Sequence, residues 1–93
     1  MRFPLHLPLR VKSNHEQHAA ETADISAAGV MFYLETELDV GAPLEFSIVL
    51  PPEMVGGAEP VHVKCIGRVA RVFREDGRRG VAAIIDEYCF ERE

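Results

Sequence analysis

Apolar residues fall on every second position through most of this 93-residue chain. That spacing suits strands with one buried face and argues against helices, whose apolar stripe repeats every three to four residues. From Leu5 to Lys12, the apolar set Leu5, Leu7, Leu9 and Val11 alternates with His6, Pro8, Arg10 and Lys12. Pro8 has no N–H to donate, so this first strand is an edge or begins as one. Leu44, Phe46, Ile48 and Leu50 alternate with Glu45, Ser47 and Val49. Val61, Val63, Cys65, Gly67 and Val69 form the inner face of the longest strand, Val61 to Phe73, against His62, Lys64, Ile66, Arg68 and Ala70. Beyond Val69 the parity changes, with Arg71 where an apolar residue is due and Val72 in its place, which marks a bulge or a barrel rim.

Turn chemistry separates these runs. A polar turn at Ser13–Gln17 precedes a short strand over Ala19–Ile25, and Ser26-Ala27-Ala28-Gly29 makes a tight turn in which Gly29 is free to take a positive φ. Val30–Leu34 is a third strand, and an acidic connection over Glu35–Ala42 leads to the fourth. Pro51-Pro52 stops the fourth strand and opens a long polar loop to Pro60. Asp76-Gly77 is a strong hairpin signal, followed by a last strand over Val81–Ile85. Asp86 to Glu93 suits the opening turns of a C-terminal helix. Six short strands with almost no helical periodicity give an all-β barrel or sandwich, read as one domain over residues 1–93, with 1–10 as a flexible arginine-bearing lead into the first strand.

Composition narrows the function. Hydrophobic residues make up 47% of the chain, enough for a packed core rather than a disordered tail. A net charge of −5 argues against general affinity for nucleic acid or anionic membrane, while leaving room for a small anion held by local arginines. No charge-free run approaches a membrane span, and Met1–His6 does not read as a signal peptide. Cys65 and Cys89 are unclustered, which suits a reducing, cytoplasmic compartment. His15-x-x-His18 lies in the polar turn with no third ligand nearby and reads as solvated rather than metal-binding. Ser26 has no nucleophile elbow and no triad partners, so neither catalysis nor a cofactor is expected. Arg68 and Arg71 read as strand-surface residues, and Arg78-Arg79 as a solvated turn.

The group singled out for function is Asp24-Ile25-Ser26-Ala27-Ala28-Gly29. At a strand end Asp24 and Ser26 share one side, so an acceptor and a donor address the same ligand, and Gly29 leaves room for a close approach. Asp and Ser also serve as ordinary turn residues that bond their own backbone. Taken with Leu7-Pro8-Leu9-Arg10-Val11 before it, and Gly67-Arg68-Val69-Ala70-Arg71-Val72 and Gly80-Val81-Ala82-Ala83 after it, the chain resembles the PilZ domain family over nearly its whole length. The resemblance implies a six-stranded antiparallel β-barrel followed by a helix, and binding of cyclic di-GMP. It implies contacts from Asp24, Ser26 and Gly29 on the barrel and from a flexible Arg-x-x-x-Arg segment before it. Here that segment is Arg2-x-x-x-His6. Histidine lacks the forked guanidinium donor, so the substitution removes a contact worth about 1–3 kcal/mol. Arg10, ~13 Å further along an extended strand, is too distant to replace it. Two functions follow: a cyclic di-GMP receptor that signals to a protein effector, and a domain that has lost the nucleotide and acts through protein contacts alone.

Overall fold

The computed structural model describes residues 6–13, 16–26 and 28–92, leaving aside the side chains of Val55 and Arg92. Six strands and one short helix follow in order: β1 (Pro8–Ser13), β2 (Glu16–Ile25), β3 (Gly29–Tyr33), β4 (Pro43–Leu50), α1 (Pro52–Val55), β5 (Val61–Glu75) and β6 (Arg78–Arg92). They close an antiparallel barrel in the order β1-β2-β3-β6-β5-β4, with β4 returning to β1. Closure leaves few free edges, which is the physical advantage of a barrel over a sandwich. The six-stranded antiparallel barrel expected from the sequence is therefore the fold observed.

The alternation translates directly into burial. Leu9 and Val11 of β1, Phe46 and Ile48 of β4, Val63, Cys65 and Val69 of β5 and Val81 of β6 all point inward, with intervening residues outward. Register stacks them in rows, as in Val11 opposite Phe46 opposite Cys65. Pro8 begins β1, opposite Glu21, where its missing N–H breaks nothing. Leu34 and Leu38, from the connection after β3, are buried in the core, Leu38 beside the start of β4.

Three bulges adjust the pleat. Ala70 is the extra residue between Val69 and Arg71, the parity change expected from the sequence, and it turns Val72 toward the core. Asp86 is extra on β6, opposite the step from Ile66 to Gly67, and Ala23 is extra on β2. The β5–β6 hairpin turns at Asp76 (φ 51°) and Gly77 (φ 76°), the two positive φ values of a type I′ turn.

Three expectations need correction. Asp86–Arg92 is not helical: β6 continues, pairing residues 87–92 with residues 66–61 of β5. That edge of β5 would otherwise leave backbone groups without partners, and Tyr88 and Phe90 alternate with Glu87, Cys89 and Glu91 as a strand requires. The loop after Pro51 contains a single helical turn, closed by Gly56 in the left-handed region at φ 68°. His18 stands in β2, opposite Val11, rather than in a solvated turn. It is half-buried, with its Nδ1 sharing a 3.4 Å hydrogen bond with Thr36 Oγ1, while His15 lies outside the described residues.

Candidate functional site

The Asp-x-Ser-x-x-Gly segment forms the corner between β2 and β3. Asp24 pairs with Met31 and Ile25 with Val30, and Val30 is buried. Residues directly opposite share a face, so Ile25 points inward and Asp24 outward. The extra residue Ala23 makes this possible, because Thr22, two before Asp24, is itself fully buried.

Ser26 is held by its own turn. Its amide donates to the Gly29 carbonyl at 2.9 Å, its hydroxyl donates to the same carbonyl at 3.4 Å, and the Ala28 amide donates to Ser26 Oγ at 3.3 Å. The hydroxyl proton is therefore committed within the turn, and one lone pair of the oxygen stays open to a ligand donor.

Gly29 departs from its sequence reading. Its φ is not in the left-handed region. A Cβ built there would lie 2.5 Å from the carbonyl oxygen of Ala83 on β6, so the missing side chain lets β3 meet β6. The turn is also tied to β6 by Ile85, whose amide donates to the Ala28 carbonyl at 2.9 Å.

The segment before β1 runs beside this corner. The Leu7 amide donates to Thr22 Oγ1 at 2.8 Å, and the Thr22 amide returns a bond to the Leu7 carbonyl at 3.0 Å. His6 is exposed, donates from Nδ1 to the Thr22 carbonyl at 3.1 Å, and has Glu21 Oε1 at 3.7 Å. The structure thus brings His6 next to β2, the strand that carries Asp24 and leads into the turn of Ser26 and Gly29. Arg2 lies outside the described residues. Thr22 is the residue that sequence reasoning missed. Its signal was a lone hydroxyl on the inward parity of β2, after His18 and Ala20.

Three of the arginines weighed from the sequence, Arg68, Arg71 and Arg78, have local side-chain partners. Arg68 grips Asp86 through Nε and Nη2 at 3.3 Å each, beside the β6 bulge. The Arg71 guanidinium lies 4.9 Å from the Phe73 ring centre, and that of Arg78 lies 3.8 Å from Tyr33. Tyr33 donates to Glu75 Oε1 at 2.7 Å, which together with desolvation holds the phenol above its usual range. Among the described residues, no group of three His, Cys, Asp or Glu side chains is placed to hold a metal ion. No helix among them is long and apolar enough to cross a membrane.

This architecture has solved counterparts. The inhibitor of motility MotI/DgrA of Bacillus subtilis superposes with a TM-score of 0.83 at 21% identity, over 95% of this chain and 42% of that one. The chain thus spans less than half the length of that protein. The PilZ domain of CeSA from a cellulose-synthesizing bacterium gives a TM-score of 0.62 at 20% identity, covering 90% of this chain and 79% of that domain. No curated protein sequence matches the chain. The PilZ domain family matches residues 1–90, over the same six-stranded barrel and the same Asp24–Gly29 corner, and the chain belongs to that family.

Proposed function

We propose that the chain is a cytoplasmic receptor module for cyclic di-GMP, a binding domain rather than an enzyme, whose occupied form is recognised by a protein effector. The observation that carries this reading is the corner itself: Asp24 faces outward, Ser26 follows it, and the segment carrying His6 is fastened alongside through Leu7 and Thr22. A carboxylate accepts from guanine N–H groups, and an arginine pairs with phosphate or with the O6 and N7 edge of guanine. In this reading Asp24 and Ser26 meet a guanine, Arg2 meets phosphate, Gly29 fixes the corner, and His6 is the weak substitute for an arginine. Ordering of the lead segment on the ligand changes the surface that the effector meets.

Isothermal titration with cyclic di-GMP tests the proposal. Micromolar or tighter binding by the parent chain, lost in Asp24→Ala, is the expected result. Unaltered affinity in Asp24→Ala would place the ligand elsewhere. A second reading, a barrel that has lost the nucleotide and acts through protein contacts, is motivated by Arg2-x-x-x-His6 and by the bond that commits His6 to the Thr22 carbonyl. Silence from the parent chain with binding restored by His6→Arg selects that reading.

A further inference from the structure

The last seven residues of β6 form a feature that the nucleotide corner does not use. Pairing of β3 with β6 ends at Gly29 opposite Ile84. From Asp86 to Arg92, β6 pairs with β5 alone, and no other strand of the described residues lies along its second edge. Cys65 stands opposite Tyr88 and Val63 opposite Phe90, which turns both aromatic rings to the inward side of the sheet. Yet Tyr88 is 59% and Phe90 62% exposed, while Cys65 and Val63 opposite them are buried. The two rings meet edge to face, with centres 5.8 Å apart and planes at 84°. Ile25, Ile48, Leu50 and Ile85 complete an open apolar cleft of about 220 Å³ beside them.

The opposite face of the same strand is acidic. Glu87 and Glu91 are exposed, and neither makes an ion pair among the described residues. Lys64, opposite Cys89 on that face, bridges to neither. The edge therefore offers backbone groups with no strand partner among the described residues, an apolar inner side and, on its outer side, the two exposed glutamates of the strand itself.

We infer that Asp86–Arg92 is a docking strand for an extended segment of a partner protein in which apolar residues alternate with lysine or arginine. Such a segment adds to the edge as a further strand, sets its apolar residues against Tyr88, Phe90 and the cleft, and sets its cations against Glu87 and Glu91. Charge argues against a second copy of this chain as occupant. The antiparallel register centred on Cys89, which stacks Tyr88 on Phe90, places Glu87 opposite Glu91 on both sides, and like charges directly opposed are destabilising. The inference is independent of whether the corner binds cyclic di-GMP.

The test titrates the isotope-labelled full chain with the capped peptide Lys-Val-Lys-Val-Lys-Val-Lys, and with a peptide of the same composition in which lysines and valines are in separate blocks. Saturable binding of the alternating peptide is expected, with slowed amide exchange confined to residues 86–92 and shifted resonances at Ile25 and Ile85. The blocked peptide should bind at least tenfold more weakly. Phe90→Ser, at an exposed position that leaves the core intact, and Glu87→Lys with Glu91→Lys should each weaken the alternating peptide at least tenfold. Equal binding of the two peptides, no added protection at 86–92, or affinity that survives Phe90→Ser would reduce the effect to charge adsorption and overturn the inference. No binding of the alternating peptide would overturn it as well, and so would dimerisation of the chain through this edge.

Discussion

Gly29→Ala separates a packing role for the motif glycine from a ligand-contact role. The built Cβ falls 2.5 Å from Ala83 O, about 0.9 Å inside ordinary contact at 3.4 Å, and the obstacle is a backbone carbonyl of a paired strand. Relief requires β3 and β6 to part at the Gly29–Ile84 pair, straining the adjacent bond from the Ile85 amide to the Ala28 carbonyl. Overpacking in a tight site costs about 1–3 kcal/mol. The carbonyl cannot swing aside, so the clash falls in the upper part of that range, while alanine restricts the unfolded chain and returns about 0.4–1 kcal/mol. The net expectation is a loss of about 2 kcal/mol, or a fall of roughly 8–16 °C in Tm for a domain of this size. Urea unfolding of the ligand-free protein measures it. Gly80→Ala is the internal control, because its Cβ meets the Phe73 ring at 2.4 Å and that half-exposed ring has room to turn. Its loss should stay below about 1 kcal/mol, within the range for tolerated core changes. A Gly29→Ala protein as stable as its parent would refute the packing argument and return the glycine to the ligand.

Thr22→Val keeps the shape of a fully buried side chain but removes the oxygen that accepts from the Leu7 amide; a loss of about 1–3 kcal/mol is expected, with Thr22→Ser close to the parent, as read by urea unfolding. Burial pushes the Cys65 thiol up to about 11, with the neighbouring Cys89 adding a smaller push. The folded state thus holds this proton more tightly than the unfolded chain does, so the stabilisation is complete below pH 9, the thiol's ordinary value, and is lost as pH rises toward 11. Unfolding midpoints should fall over that window, and the slope should flatten in Cys65→Ala but not vanish, because the raised Tyr33 phenol acts in the same sense. At neutral pH a thiol reagent should modify exposed Cys89 in the folded protein, and buried Cys65 only on unfolding.

The strands were legible because each buries one face, and period two is a local property of the chain. Leu9 with Val11 and Phe46 with Ile48 reveal their direction without knowledge of their neighbours. Where local and long-range causes diverge, the sequence misleads. The bulge at Asp86 moves the inward set from Val81 and Ala83 to Tyr88 and Phe90, so the alternation breaks mid-strand and β6 looks finished at Ile85. What continues it is the backbone of β5, which the segment's own composition does not announce. Gly29 is a second case: its necessity comes from Ala83, far along the chain, and a turn reading assigns it the wrong cause. Of the candidate site, Asp24 and Ser26 were legible as a motif, but the role of Thr22 depends on pairing with Leu7 and had only a parity clue.

The corner and the open cleft are joined by the single extra residue in β2. Period two carried on from Thr22 would turn Asp24 inward and Ile25 outward, burying a carboxylate and stripping the cleft of a wall. The bulge at Ala23 reverses both at once, so the acid faces outward and the isoleucine faces the apolar cleft from adjacent positions. Ile25 therefore sits between the two side chains proposed to hold the nucleotide, while Ala28 of the same turn bonds to Ile85 on the cleft's far wall. A ligand that draws Asp24 or Ser26 outward acts on both walls through backbone, with no intervening flexible side chain. Coupling between nucleotide and docking strand, where both operate, then needs no path longer than this one turn.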